Sequence, residues 1–284
     1  MTTSTATDEF EAPGLTADAV MTDDERGPRR QLHGASLAVA RLLAVAVLLG
    51  IWQLCAGRLI SAFWISSPSL VAVRLWQWMI DGTLWPQLGT TLVEAGYGFV
   101  IGAGAGILLG LVLGQMRQVT LVLEPIIFAL YSLPRIALAP LFLLWFGIGI
   151  ESKVVLSATS VFFLVFYNTF SGVRDVDHDL LNAVRVMGGS RRDELTKVIV
   201  PGAMYWVFTG LKVSVPYAII GAVVGEIVAS NRGLGYLMQN ASGQFDTTGV
   251  FVALVVLAAV SMAINEILSI AERRAIRWKP NRDA

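Results

Sequence analysis

The sequence predicts an all-α, polytopic membrane protein with about six transmembrane helices. Of its 284 residues, 55% are hydrophobic and only 15% are charged, whereas soluble domains carry roughly 25% charged residues. The mean hydropathy is +0.65. Apolar segments near the length of about 20 residues that a spanning helix needs recur at residues 36–56, 91–114, 121–146, 154–173, 202–229 and 250–270.

Residue usage excludes several kinds of chemical centre. Cys55 is the only cysteine, so neither a disulfide framework nor a thiolate metal site is expected. His33 and His178 are the only histidines, and the acids around His178 are of the kind favoured at a helix N-terminus. We therefore expect no metal site, and no catalytic residue because no Ser/His or paired-Asp constellation lies at membrane depth.

A nucleotide site is also not expected in this chain. A phosphate-binding loop needs Gly-Lys followed by Ser or Thr. The four lysines, Lys153, Lys197, Lys212 and Lys279, follow Ser, Thr, Leu and Trp. If this protein uses ATP to move a solute, the ATPase is another chain.

The chain begins with a polar segment, residues 1–35, that is mixed in charge and has no apolar period. A disordered tail is expected there, with a docking segment as the alternative. The membrane domain covers residues 36–270 and starts with the first span, after which no convincing signal-peptide cleavage site follows. The tryptophan-rich segment beyond it suits the headgroup level, and we expect an interfacial helix at about 68–80, broken by Asp81-Gly82.

Glycine and proline distinguish the next two spans. Span 91–114 contains Gly102, Gly106, Gly110 and Gly114, a G-x-x-x-G pattern that lets helix backbones approach closely in lipid. A nucleotide-binding glycine motif does not fit, because no strand precedes it. After a short polar turn at residues 116–120, span 121–146 contains three prolines that predict kinks: Pro125, Pro134 and Pro140.

A polar loop, residues 174–201, separates the fourth and fifth spans. Leu180, Val184 and Met187 share one helix face. Gly188-Gly189 then interrupts, Ser190 can cap a second short helix, and Pro201 is expected to stop that helix where the chain re-enters the membrane. This predicts a helix-turn-helix on the water side of the membrane.

The basic residues predict the orientation of the chain. They are concentrated in the N-terminal tail, in the 174–201 loop and in the basic tail, residues 271–284, which puts these three segments in the cytoplasm. The opposite side carries fewer, namely Arg58, Arg74, Lys153 and Arg232.

The loop resembles the coupling loop of ABC-importer permeases. That loop reads E-A-A, then Gly four residues later, then an aliphatic pair and Pro. Asn182-Ala183-Val184 stands for E-A-A, followed by Gly188 and Pro201; Asn182 replaces the usual acid and Val184 the second Ala. Two further segments, LYSLPRIALAPLFLLWFGIGIESK (130–153) and GLGY (233–236), resemble the corresponding segments of permeases that import nitrate, taurine, aliphatic sulfonates and thiamine-precursor pyrimidines.

The resemblance covers about residues 59–278 and implies a MetI-like permease fold in a bacterial inner membrane. It implies alternating access, driven by two copies of an ATPase subunit that holds ATP and Mg²⁺, with no cofactor in this chain. Further partners are a periplasmic or extracellular solute-binding protein, a second permease copy and membrane lipid, with no nucleic acid. It assigns ATPase coupling to residues 179–201, and within them to Asn182, Ala183, Val184, Arg185, Gly188, Arg191, Arg192 and Pro201.

The sequence leaves open the class of transporter and the role of the charged residues inside the spans. A self-sufficient secondary transporter or channel is the alternative class, although it predicts an inverted repeat and no docking loop. Ionisable groups inside spans are functional candidates. Four such residues lie in the predicted spans: Glu94, Arg135, Lys212 and Glu226. They either line the translocation path or form structural ion pairs, for example Arg135 with Glu226.

Overall fold

The computed structural model describes residues 34–276, so most of the predicted N-terminal tail and the end of the basic tail lie outside the described residues. Within that range the chain forms helices and turns and no β-strand. The helices are α1 (Gly34–Cys55), α2 (Ala62–Ile65), α3 (Pro68–Ile80), α4 (Leu84–Gly114), α5 (Arg117–Ser132), α6 (Ala139–Phe146), α7 (Ile150–Arg174), α8 (His178–Val186), α9 (Arg191–Glu194), α10 (Val200–Ala229), α11 (Leu234–Gly243) and α12 (Thr247–Ala275).

The chain divides into two compact units, Met1–Gly50 and Ile51–Ala284. In the first, the described part is the larger portion of α1, which is apolar and mostly exposed. In the second, four helices are long and apolar enough to cross a membrane. A bent pair, Pro125–Ser132 with Arg135–Phe146, makes a fifth span if it is counted as one. With α1, these helices match the six predicted apolar segments.

The glycine stripe of α4 is confirmed as a packing surface. A Cβ on Gly106 would lie 2.9 Å from the backbone of Phe162 and Phe166 in α7, closer than real side chains come. Gly104, on the other side of α4, has no atom within 4 Å of its Cβ position. The stripe therefore faces α7, and α10 completes the core with buried residues such as Val215 and Ala222.

The end of the bundle opposite the 174–201 loop is built by α3, α11 and the start of α12. The helix predicted at about 68–80 is confirmed as α3, whose C-cap is Asp81 and which is followed by Gly82 at φ +78°. Leu234 of α11 and Val252 of α12 are fully buried against α3 and α4. This packing holds α11 against the spans.

The predicted third span is broken into two helices that meet at 78°. Leu133 and Pro134 are extended there, and a 3-10 turn, Arg135–Leu138, leads into α6. The predicted kink thus falls at Pro134, whereas Pro125 lies inside α5. The expected polar turn at 116–120 is wrong, because α5 begins at Arg117. The Thr120 hydroxyl donates to the Leu113 carbonyl at 2.8 Å, which closes the turn within two residues.

The expectation that Pro201 stops the second loop helix is also wrong. The chain is helical without interruption over Arg191–Ala229. A π-helical turn, Leu195–Ile199, precedes α10, and the Val200 N–H donates to Leu195 five residues back. Proline lacks an N–H and its ring clashes with the carbonyl four residues earlier in a regular helix. The wider turn accommodates Pro201 in the first turn of α10.

Candidate functional site

Helix α8 is the first half of the predicted coupling segment, and it starts where the sequence indicates. Asp177 caps it by accepting from the Asp179 N–H at 2.8 Å. Leu181 packs against the buried cluster of Val173, Ile199 and Ala203. The inner face of α8 is therefore centred on Leu181, and not on the predicted row of Leu180, Val184 and Met187.

The predicted row instead leaves apolar side chains exposed. Met187 is 85% exposed and its neighbour Val186 is 89% exposed. Leu180 is also exposed, and Val184 is half-buried. We call Leu180, Val186 and Met187 the apolar tip. Sequence reasoning missed Val186, because this residue does not lie on the predicted apolar face of Leu180, Val184 and Met187.

The turn after α8 depends on two glycines for different reasons. Gly188 has φ +75°, where only glycine is free of strain, and no atom lies within 4 Å of its Cβ position. Gly189 donates to the Val184 carbonyl at 2.9 Å. A Cβ on Gly189 would lie 2.8 Å from that oxygen, so the second glycine is needed for space.

The second half of the segment begins with the predicted Ser190 cap. Ser190 Oγ accepts from the Asp193 N–H at 3.3 Å, while Asp193 Oδ2 accepts from the Ser190 N–H at 2.9 Å. This reciprocal capping box fixes the start of α9. Hydrogen bonds from Lys197 and Ser190 hold the pKa of Asp193 well below its usual range.

An ion pair joins the two halves of the loop. Arg185 donates from Nε and Nη2 to both oxygens of Glu194, at 2.8 and 3.1 Å. The hydrogen bonds raise the pKa of Arg185 and lower the pKa of Glu194, although both groups are open to solvent screening. Four other predicted coupling residues, Asn182, Ala183, Arg191 and Arg192, are exposed, whereas Pro201 is half-buried inside the continuous helix.

Glu226, a candidate path residue, is buried beside the N-terminus of α11. Its Oε1 accepts from Thr91 Oγ1 and its Oε2 from the Gly235 N–H, both at 2.6 Å. Thr91 Oγ1 also accepts from the Leu234 N–H at 2.9 Å. Side chains from α4 and α10 thus satisfy the first amides of α11, which a helix cannot satisfy internally.

Glu94 belongs to the same buried network. Its Oε1 lies 3.5 Å from Lys153 Nζ, and both side chains are almost inaccessible. Lys153 Nζ also donates to Ser230 Oγ at 3.0 Å. Sequence reasoning placed Lys153 on the outer surface, and only the three-dimensional packing shows that it pairs with Glu94.

The remaining two candidates have separate surroundings. Lys212 pairs with Glu272 of α12. Arg135 does not pair with Glu226: its Nη2 donates to the Tyr131 carbonyl at 2.7 Å, and its guanidinium lies 5.1 Å from the ring centre of Tyr131. Among the side chains that the structure describes, no carboxylate lies within salt-bridge distance of Arg135.

Comparison with known proteins gives consistent matches. Residues 102–277 match the family of binding-protein-dependent transport system inner membrane components. A protein named as an aliphatic sulfonates transport permease, SsuC of Bacillus subtilis (strain 168), is 32% identical over 94% of this chain and 95% of its own length. The riboflavin transport system permease protein RibX of Chloroflexus aurantiacus is 36% identical, over 84% and 89% respectively.

Two further matches extend this pattern. The taurine transport system permease protein TauC of Escherichia coli (strain K12) is 32% identical over 82% of this chain and 87% of its own. Among solved structures, an inward-facing conformation of the MetNI methionine ABC transporter matches with a TM-score of 0.54 and 22% identity. That match covers 70% of this chain and 95% of the other chain, and it concerns the fold alone.

Proposed function

The chain belongs to the family of binding-protein-dependent transport system inner membrane components and is the permease subunit of an ABC transporter, and we propose that residues 179–201 couple it to a separate ATPase. The observation that carries this proposal is the apolar tip. A soluble loop gains nothing from exposing Val186 and Met187, and large exposed apolar side chains on a water-exposed segment fit a protein interface.

The loop is built to transmit movement into the membrane. The capping box and the Arg185–Glu194 pair make α8 and α9 one unit. From Arg191 the helix continues without a break to Ala229, near the far end of the bundle. Trp206 Nε1 donates to Asp175 Oδ2 at 3.2 Å, which ties α10 to the end of α7. A displacement of the tip would therefore move α10 and α7 together.

This arrangement supports alternating access as the mechanism. ATP closes the paired ATPase subunits, which shift the tips and open the spans outward to accept a solute from a binding protein. Hydrolysis and product release return the spans to the inward-open state. ATP and Mg²⁺ belong to the ATPase, and a second permease copy completes the path. The loop and both termini lie in the cytoplasm of a bacterium whose inner membrane holds the complex.

The solute we propose is small and is either organic or oxyanionic, such as a sulfonate, nitrate or a pyrimidine vitamin precursor. The names of the relatives, which refer to sulfonates, taurine and riboflavin, support this range. Selection of the solute lies mainly in the binding protein.

Copurification tests the proposed function. We expect the cognate ATPase to copurify stoichiometrically with the permease and uptake in proteoliposomes to require trapped ATP. Uptake by this chain alone, driven by an ion gradient and without the ATPase, would identify a secondary transporter instead.

A further inference from the structure

A row of aromatic rings on α7 leads from Arg135 toward the loop end of the bundle. Phe163, Tyr167 and Phe170 lie four and three residues apart, so they share one face of α7. The Arg135 guanidinium lies 5.3 Å from the ring centre of Phe163. The row therefore begins at a cation inside the membrane region.

A tyrosine pair continues the row across to α5. The rings of Tyr131 and Tyr167 are 5.4 Å apart and tilted by 34°. Tyr131 also stacks against Arg135. The two tyrosines thus connect Arg135, on one side, with the cavity that Tyr167 lines on the other.

The cavity lies between α5 and α7 at the loop end and has a volume of about 320 Å³, at the lower end of the roughly 300–1,000 Å³ of small-molecule sites. Its lining includes Ile127 and Phe128 of α5, together with Tyr167, Phe170 and Arg174 of α7 and the C-cap residue Asp175. Because Arg174 and Asp175 carry opposite charges, this end of the row is close to neutral. Any selection for charge along the row must come from Arg135.

The position of Arg135 in the fold is typical of a solute site. It begins the 3-10 turn at the 78° break between α5 and α6. Broken spans recur at the substrate sites of transporters, where the irregular backbone lines a cavity. The structure gives Arg135 one hydrogen bond, from Nη2, and its buried Nε has no partner. A guanidinium carries five N–H donors, so several remain for another group.

The positive charge of Arg135 determines which kind of ligand group can accept its remaining N–H donors. Lys153 is paired with Glu94 and Lys212 with Glu272, whereas no described carboxylate pairs with Arg135. A cation at membrane depth without a counter-ion is costly, and an oxyanion offers a guanidinium both a negative charge and two or more oxygen acceptors. We propose that Arg135 binds the negatively charged group of the transported solute, which therefore carries a sulfonate, a nitrate or a similar oxyanion. This inference rests on the proposed permease function and narrows its range of solutes.

The test uses the assembled importer, with its cognate ATPase and binding protein, in proteoliposomes loaded with ATP. Binding to the binding protein and uptake are measured for labelled taurine, ethanesulfonate, nitrate, riboflavin and formylaminopyrimidine. We expect the transported solute to be one of the first three. In R135Q, uptake should fall on the order of tenfold or more, the usual effect of losing a hydrogen bond to a charged group. R135K, which keeps the charge but loses the forked donors, should retain more uptake than R135Q.

The matched control is R273Q, which removes an exposed arginine paired with Glu266 and should leave uptake unchanged. Assembly of R135Q with the ATPase, measured by copurification, should equal that of the wild type. Transport of only riboflavin or formylaminopyrimidine, or uptake by R135Q within twofold of wild type, would overturn the anion assignment and leave the importer function intact. The solute panel on the wild-type importer decides the class even if R135Q does not assemble. Failure of the ATPase to copurify contradicts the proposed function itself.

Discussion

Gly188 shows how one backbone angle can set the geometry of the proposed docking surface. Its φ of +75° turns the chain between α8 and α9, and its Cβ position is open to solvent. A larger side chain there meets no steric obstacle within the chain. The difficulty lies in the left-handed backbone, which costs a residue with a Cβ roughly 1–2 kcal/mol. A substitution therefore changes the geometry of the tip without disturbing the core.

We expect G188L to insert in the membrane normally but to bind the ATPase more weakly, so that uptake falls and the solute no longer stimulates hydrolysis. Pull-down of the ATPase by wild-type and variant permease measures the effect. G188N is the conformational control, because asparagine tolerates the left-handed region better than other residues with a Cβ, and it should retain more binding. Equal docking by G188L and wild type would show that the turn is not needed for coupling.

Glu226 is expected to act on stability rather than on the solute. Removing its two acceptor oxygens leaves the buried Gly235 N–H unpaired, at a cost of about 1–3 kcal/mol, while the Thr91 hydroxyl keeps only the Gln87 carbonyl as acceptor. E226A should therefore lower the thermal stability of the purified permease. E266A removes an exposed glutamate and should leave stability unchanged. Normal stability of E226A combined with lost uptake would place Glu226 in the translocation path instead.

At the scale of single elements, α4 packs closely on α7 only through the helix face that carries the glycine stripe. Gly106 faces the α7 backbone, and Gly104 faces open space two residues away. Both positions are glycines of the same helix, only two residues apart. They form a matched pair for testing the glycine stripe.

G106L should prevent close approach of α4 and α7, since overpacking a tight interface costs about 1–3 kcal/mol or more. G104L should be tolerated. Thermal denaturation of the detergent-solubilised permease, with the yield of monodisperse protein, distinguishes the two. Equal stability of both variants would mean that the α4–α7 interface can open to admit a side chain.

The sequence predicts those elements whose signals are local. Asp81-Gly82 ends α3, Ser190 caps α9, and the glycine stripe marks a packing face because each feature acts within a few residues. Three features depend on residues far apart in the chain. They are the packing of Leu181 against the buried cluster at the loop, the pairing of Lys153 with Glu94, and the hydrogen bonds that side chains of α4 and α10 accept from the first amides of α11. No period or spacing encodes which helix faces meet.

At the scale of the whole molecule, the unbroken helix Arg191–Ala229 joins the 174–201 loop to the far end of the spans. Its last turns hold Glu226, which in turn holds α11. A movement of the apolar tip would thus reach the opposite end of the second unit through one continuous element. The π turn at Leu195–Ile199 preserves that continuity where Pro201 would otherwise break it.

Hydrolysis-coupled uptake in reconstituted membranes tests this transmission most directly, by comparing wild type with the double variant V186D/M187D. Both side chains are highly exposed, so the variant should insert and remain stable. We expect the wild-type complex to couple ATP hydrolysis to uptake, and the variant to lose both ATPase binding and uptake. Wild-type rates of coupled uptake in V186D/M187D would contradict the role of the apolar tip as the ATPase-docking surface.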